Sequence, residues 1–499
     1  MKRGEARLLA SAVLVQQAAQ VAGLLALLAI VTLLARELSP AGLGAYGLIA
    51  SLAGYLLVLR NSVASSAVRA MAAAADRRER ASVFSAAARL YLVVGVATGV
   101  LVVVVGLAIA AGILSGELAS QARAGALGLG AITAIGIAAS VHLDGLRGER
   151  LLVQAAAIEL LAVAVFLALM LGLILGGAAL GTVIAASGAL PLLSGALSLV
   201  VVRRLRLPFS LRREPGARER IRSIVPTAGW LLVVEGSTLV IYGLQRVILG
   251  AYRSPGTVGR LEGPLRAHNL LYALAGAMAV PTVPTASRYA ASGDSRRLRE
   301  LAIRGTRYTL ALFVPVCVVL MVLAEPMLDV WLGDRYGVGG TALAVLVSYW
   351  ILYGGLAFTP GFLVGAGRAR AIGLVFAGVA AASLILSLVL TPEFGLEGPA
   401  VATAVPFVAA FPIVVRVALQ ASGARIADLA RHAWAPNYVL GALLAGGLVA
   451  LRSLLDPDTL VAVGATAVGA LVAYWLAFWG VVLSAGERSL ALALVLRRN

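Results

Sequence analysis

Residues 223–288, SIVPTAGWLLVVEGSTLVIYGLQRVILGAYRSPGTVGRLEGPLRAHNLLYALAGAMAVPTVPTASR, predict two membrane-spanning helices joined by the short outer turn Arg253-Ser254-Pro255-Gly256. Glu235 lies about twelve residues in from the inner end of the first helix, roughly 18 Å at 1.5 Å per residue. Arg266 lies about nine residues in from the outer end of the second, roughly 14 Å by the same rise. A hydrocarbon core is about 30 Å thick, which sets both charges near the bilayer centre. A charge there costs at least about 2.5–3.5 kcal/mol unless it faces a partner or a wet cavity. The pattern points to a polar route through the middle of a membrane protein.

Composition agrees. The 499 residues are 61% hydrophobic and 13% charged, with a mean hydropathy of +0.97, which excludes an ordinary soluble domain. The net charge of +18 comes from 41 Lys and Arg against 23 Asp and Glu. Those cations sit in the short connections between apolar runs, as orientation signals do, so nucleic acid is not expected as a partner. Cys317 is the single cysteine, which excludes an intramolecular disulfide. His142, His268 and His432 are far apart and show no metal-ligand spacing, so no metal is expected. The Gly-Lys-Ser/Thr signature of a nucleotide loop is missing too, so neither ATP nor another cofactor is expected on this chain. Basic residues 1–7 precede a long apolar run, 8–35, which is too long for a removable signal peptide and predicts a retained first span.

Apolar runs predict fourteen spans: 8–35, 43–69, 82–111, 121–143, 151–175, 178–202, 223–251, 257–287, 304–325, 338–362, 371–390, 397–420, 433–451 and 459–484. With that count, 32 of the 41 Lys and Arg are assigned to the side of the termini, 8 to the opposite side, with Arg246, Arg260 and Arg266 of spans seven and eight among them, and Arg60 to neither. The asymmetry puts both termini in the cytoplasm of a multi-pass cell-membrane protein. Connections on the outer side are all short, which leaves no room for the external catalytic loop of a membrane glycosyltransferase or polymerase, so no enzyme is expected. The longest inner connection, 202–222, holds eight arginines with Pro208, Pro215 and Gly216. It fits a linker lying on anionic lipid, or a docking segment for a partner.

The chain repeats itself. Ser39-Pro40-Ala41-Gly42-Leu43-Gly44 after the first span matches Ser254-Pro255-Gly256-Thr257-Val258-Gly259 after the seventh, and Ala67-Val68-Arg69 matches Ala286-Ser287-Arg288. Six spans separate the copies, so both have the same orientation, as in transporters built from parallel repeats. The expected fold is therefore all-α and integral to the membrane, with about fourteen helices in two pseudo-symmetric six-helix lobes plus two C-terminal helices. The lobes are 1–202 and 223–420, joined by the Arg-rich cytoplasmic linker 203–222, with 421–499 forming the last two spans and a cytoplasmic tail.

Several motifs carry a family resemblance. Leu38-Ser39-Pro40-Ala41-Gly42-Leu43-Gly44-Ala45-Tyr46 resembles the turn after the first span of polysaccharide flippases in the multidrug/oligosaccharidyl-lipid/polysaccharide (MOP) exporter superfamily. Pro392-Glu393-Phe394-Gly395-Leu396-Glu397-Gly398-Pro399 is similar to that family's proline–aromatic–glycine turn before its twelfth span, and Trp331-Leu332-Gly333 and Leu363-Val364-Gly365-Ala366-Gly367-Arg368 also fit. The resemblance covers roughly 8–420. It implies a flippase that moves a polyprenyl-(pyro)phosphate-linked oligosaccharide from the cytoplasmic to the outer leaflet. Alternating access through a cationic central cavity would serve cell-surface polysaccharide synthesis. Its implied partners are the lipid-linked glycan, membrane lipids, and a glycan polymerase or glycosyltransferases of the same pathway. In the related lipid II flippases the eighth span has an acid–arginine pair. Here Pro264-Leu265-Arg266-Ala267-His268 keeps the arginine and lacks the acid, which argues against lipid II itself as cargo. The rival expectation within the superfamily is a cation-coupled multidrug exporter.

Candidate residues follow from the need to carry a doubly anionic head group through a layer without water, where arginine forks can replace hydration. Arg266 is the leading contact, with a buried ion pair to Glu235 as the alternative. Arg60, beside Asn61 and Ser62, marks either a wet vestibule or a snorkelling side chain. Glu235, Tyr242 and Arg246 share one helix face by their spacing of 7 and 4. Tyr242, Arg246 and His268 join the expected cavity lining. Gln16 and Gln20, one turn apart, suit sugar hydroxyls or hydrogen bonds between helices. Glu235, with Glu159 as second choice, is the candidate for a protonatable coupling group.

Overall fold

Hydrocarbon offers no partner for backbone N–H and C=O groups, so a run of twenty apolar residues closes its hydrogen bonds within itself as a helix. That rule shapes the whole molecule. The computed structural model describes residues 3–74, 76–207, 209, 233 and 236–489, and among them there is no strand. The protein is an all-α integral membrane protein. Among the described residues, eleven helices are long and apolar enough to cross a bilayer, or twelve if one bent pair forms a single span.

The expected count of fourteen is not confirmed. Twelve of the expected runs have a counterpart, and the two without one are those of the 223–288 stretch. Most of the first half of span seven, 223–235, lies outside the described residues. The helix of span eight, Pro255–Ala291, has 37 residues, ample length to cross a bilayer, and is not among the eleven.

The chain divides into two compact units, Met1–Glu262 and Gly263–Asn499. The first begins with α1 (Arg3–Glu37), α2 (Pro40–Ala73), α3 (Arg77–Gly112), α4 (Gly116–Ala139), α5 (Val141–Gly148) and α6 (Leu152–Leu175). It continues with α7 (Leu180–Ala186) and α8 (Ala189–Arg204), bent by 47° at Ser187-Gly188. A π-helical turn, Leu239–Gly243, then leads into α9 (Leu244–Tyr252) and the first turns of α10 (Pro255–Ala291). Ser39 caps α2 by accepting from the Gly42 N–H at 3.2 Å, with Pro40 in the first turn, and Asp76 caps α3 through the Glu79 N–H at 2.7 Å. Those are the residue types that satisfy orphan N–H groups at a helix start.

The two copies of the Ser-Pro-x-Gly-x-Gly-like repeat meet in this unit. A Cβ on Gly44 would fall 1.9 Å from the Pro255 carbonyl oxygen, and one on Gly259 would fall 1.9 Å from the Pro40 carbonyl oxygen. The contact is reciprocal, and only glycine lets the two backbones approach this closely. It ties the start of α10 to α2, so residues 236–262 join the first unit rather than the second.

The second unit takes the rest of α10, then α11 (Ser295–Val322), α12 (Ala324–Leu332), α13 (Gly340–Tyr353) and α14 (Thr359–Gly365). It closes with α15 (Ala369–Phe394), α16 (Glu397–Ser422), α17 (Ile426–Leu429), α18 (Ala435–Leu455) and α19 (Leu460–Ala477). The turn between α15 and α16 needs Gly395, whose φ of +56° suits a residue without Cβ. The last two helices lie on α11: Trp475 Nε1 donates to the Ala311 carbonyl at 3.0 Å, and Arg452 Nη1 to that of Val322 at 2.7 Å. Their outer faces stay bare, with Leu454, Val461 and Leu476 exposed, as suits contact with lipid. Beyond α19, Glu487 pairs with Arg307 and accepts from Tyr308 at 2.7 Å and from the Ser484 N–H at 3.0 Å. Burial pushes its carboxyl up, but the Tyr308 and Ser484 bonds and the Arg307 charge outweigh it and hold the group down at about 2.

Candidate functional site

Charged side chains on membrane helices need partners, and the first unit supplies them from five helices and one helix end. From α2 comes Arg60, from α3 Tyr91, from the end of α4 Ser140, and from α5 both Asp144 and Arg147. Glu159 reaches in from α6, and Gln20 of α1 lines the cavity beside them. Asp144 is the hub, with its side chain 1% exposed. One of its oxygens pairs with Arg60 and accepts from the Tyr91 hydroxyl at 2.7 Å, and the other accepts from Arg147 at 2.8 Å. Arg147 also pairs with Glu159 at 2.6 Å. Arg60 donates to Ser140 Oγ at 3.1 Å and to Asn61 Oδ1 at 3.2 Å, and its guanidinium lies 5.8 Å from the Tyr91 ring centroid. Every link is charge-assisted, which is how a buried ion offsets the loss of its hydration.

The network borders a cavity of about 270 Å³, walled by Gln20, Arg60, Asn61, Ser140, Glu159 and Ser194 together with apolar side chains such as Leu57 and Leu143. Among the described residues of the network, two arginines stand against two carboxylates, so their charges balance. Glu159 uses one oxygen on Arg147. Its other oxygen, Oε2, is buried and has no hydrogen-bond partner among the described residues. The site therefore offers an acceptor in want of a donor.

Of the residues expected from sequence, the structure brings Gln20, Arg60 and Glu159 together here. Asp144 and Tyr91 were missed. The predicted fourth span ended at residue 143, one short of Asp144, whereas helix continues through α5 to Gly148 within one 33-residue span. Arg147, counted as an orientation charge, is a member of the network. The spacing Asp144-x-x-Arg147, one helical turn, was the signal available.

Elsewhere in the unit, Arg246 is sealed rather than open to a cavity. Its side chain is 1% exposed and forks onto the two oxygens of Glu262, itself 0% exposed, with Nη2 to Oε2 at 3.3 Å. Glu262 lies over Gly47, where any Cβ would meet Oε1 at 2.2 Å. Tyr242 is buried in the π-helical turn that precedes α9, the helix that carries Arg246. The pair expected between Arg266 and Glu235 falls on Glu235, which lies outside the described residues.

In the second unit Arg266 is half-buried on α10. His268 is fully buried and shares a 2.7 Å hydrogen bond with the Tyr349 hydroxyl, in an aromatic cluster where Tyr349 stacks on Phe407 at 4.6 Å. Glu235 lies outside the described residues. Gln16 lies on α1, and its side chain is outside them as well. No group of His, Cys, Asp and Glu able to hold a metal occurs among the described residues.

Comparison with known proteins follows the same lines. The family model for polysaccharide biosynthesis proteins matches residues 9–290. Among solved structures, the chain is similar to the lipid II flippase MurJ in an inward closed conformation, at 14% identity and a TM-score of 0.70, covering 93% of this chain and 99% of that one. It is similar to an inward-facing multidrug resistance MATE family transporter of the MOP superfamily, at 17% identity and a TM-score of 0.66, covering 80% and 95%. A mutant of the Vibrio cholerae MATE transporter VcmN aligns at 12% identity and a TM-score of 0.58, covering 83% and 97%. At such identities the likeness is one of fold. No curated protein sequence matches.

Proposed function

The chain belongs to the polysaccharide biosynthesis protein family, and from that premise we propose that it flips a polyprenyl-(pyro)phosphate-linked oligosaccharide across the cell membrane. Family and MOP-type fold together indicate a transporter rather than an enzyme. The observation that carries the proposal is a cavity inside a bundle of membrane helices, edged by arginine, amide and carboxylate side chains. A lipid-soluble cargo alone needs no such cavity, whereas a cargo with a polar head and an apolar tail does. The isoprenoid tail stays in lipid while head group and sugars pass through the protein.

In this reading Arg266 contacts the phosphates, Arg60 and Gln20 line the path, and Glu235 or Glu159 couples transport to an ion gradient. The two repeats expose the path alternately to each leaflet, with both termini in the cytoplasm. Enzymes of the same pathway make the cargo on the inner side and polymerise it on the outer.

The test is translocation of a lipid-linked oligosaccharide by the purified protein in proteoliposomes, with wild type and Arg266→Ala compared. Flipping by wild type that is lost in the variant is the expected result, and a protein that moves no such lipid overturns the proposal. A second reading, export of cationic drugs, draws on the unpartnered Glu159 oxygen, which would also suit a cation. Drug resistance conferred on a sensitive host, with no glycan flipping, would favour it.

A further inference from the structure

We propose that the cavity beside the Arg60–Asp144–Arg147–Glu159 network is a sugar subsite, taking one neutral pyranose ring of the glycan and no phosphate. The inference deepens the flippase reading and rests on it for the identity of the cargo. Charge excludes the phosphate. Arg60 and Arg147 are both engaged by carboxylates, and the four charges cancel. A diphosphate also brings acceptors, and the atom in want of a partner here, Glu159 Oε2, is itself an acceptor.

A sugar hydroxyl supplies what is missing. With the Glu159 carboxyl turned toward the cavity it donates to Oε2, which otherwise stays buried without a donor at a cost of about 1–3 kcal/mol. Hydroxyls also accept, and the wall provides amide side chains at Gln20 and Asn61 and a guanidinium at Arg60. Leu57 and Leu143 offer apolar surface for the C–H face of a ring. The volume of about 270 Å³ sits just under the usual range of about 300–1,000 Å³ for small-molecule sites, room for one ring and not for an oligosaccharide. Glu159 is then a specificity-determining residue, reading the hydroxyl pattern of one sugar.

The experiment uses the full chain in lipid nanodiscs. Saturation-transfer NMR reads binding of methyl glycosides of hexoses and N-acetylhexosamines, with inorganic pyrophosphate and tetraphenylphosphonium as competing probes. Two variants test the pocket. Glu159→Ala removes the acceptor. Gly23→Leu fills the cavity without touching an ion pair, since the nearest atom to a Cβ there is 4.0 Å away. At least one glycoside should bind wild type and bind about tenfold or more weakly in both variants, a loss of about 1.4 kcal/mol, with neither competitor displacing it. Absence of glycoside binding, binding indifferent to Gly23→Leu, or displacement by pyrophosphate or the phosphonium cation overturns the subsite. Flipping of lipid-linked oligosaccharide alongside such a result leaves the transport reading standing. Glycoside binding as expected, with no flipping, sinks the transport reading and keeps the pocket.

Discussion

Two intramembrane ion clusters in the first unit make opposite use of the same chemistry. The Arg246–Glu262 pair is sealed, both side chains at 1% exposure or less, with Glu262 lying over Gly47. The Arg60–Asp144–Arg147–Glu159 network instead runs from a sealed hub outward to Glu159, 25% exposed, at the edge of a cavity. A closed pair with its two charges matched has nothing left to offer a ligand. An open network with an oxygen to spare does. Burial of charge in a membrane protein therefore marks function only where the charge also meets empty space.

That contrast can be broken by measurement. The largest effect is expected from Glu262→Ala, which takes from buried Arg246 the carboxylate it forks onto and should cost about 3–5 kcal/mol, seen as a loss of folded protein in detergent thermal melts. Arg246→Ala added to it should recover part of that loss, because the buried cation goes with its carboxylate. A smaller cost, about 1–3 kcal/mol, is expected from Gly44→Ala, since the added Cβ meets the Pro255 backbone and forces two helices apart. In the open network the order reverses between stability and activity. Arg60→Ala leaves Asp144 with Arg147 and Tyr91, so melting should shift less than in Glu262→Ala, while flipping falls about tenfold or more. Equal stability losses in the two arginine clusters would erase the distinction between sealed and open.

The smallest effect concerns Glu487. Its carboxyl is held at about 2, below its unfolded value near 4.5, so its contribution is complete above about 4.5 and is lost as pH falls through about 2. Attachment of residues 484–489 to α11, followed by hydrogen exchange, should be unchanged between pH 8 and 5 and weaken only in strong acid. A transition near neutral pH would place the controlling charge elsewhere.

Much of the architecture was legible in the sequence because apolar length is a one-dimensional property. The runs at 82–111, 151–175 and 371–390 became helices with little shift in their ends, and Gly395 marked a turn that no other residue type makes so readily. The stretch 223–288 was harder. Its charges signalled depth in the membrane, but pairing depends on which side chains meet across two helices, and Glu262 proved to be the partner of Arg246.

Hydropathy, repeated motifs and charge placement, all readable along the chain, determined that this is a helical membrane protein with two matching Ser-Pro-led turns. Only the tertiary structure decided that those turns press glycine against glycine, that Asp144 gathers two arginines and a tyrosine, and that Glu159 reaches both Arg147 and the edge of a cavity. The physical reason is range. Transfer of a side chain into lipid is set residue by residue, whereas a buried charge also draws on partners that folding brings from far along the chain, 53 residues for Tyr91 and 84 for Arg60 in the case of Asp144.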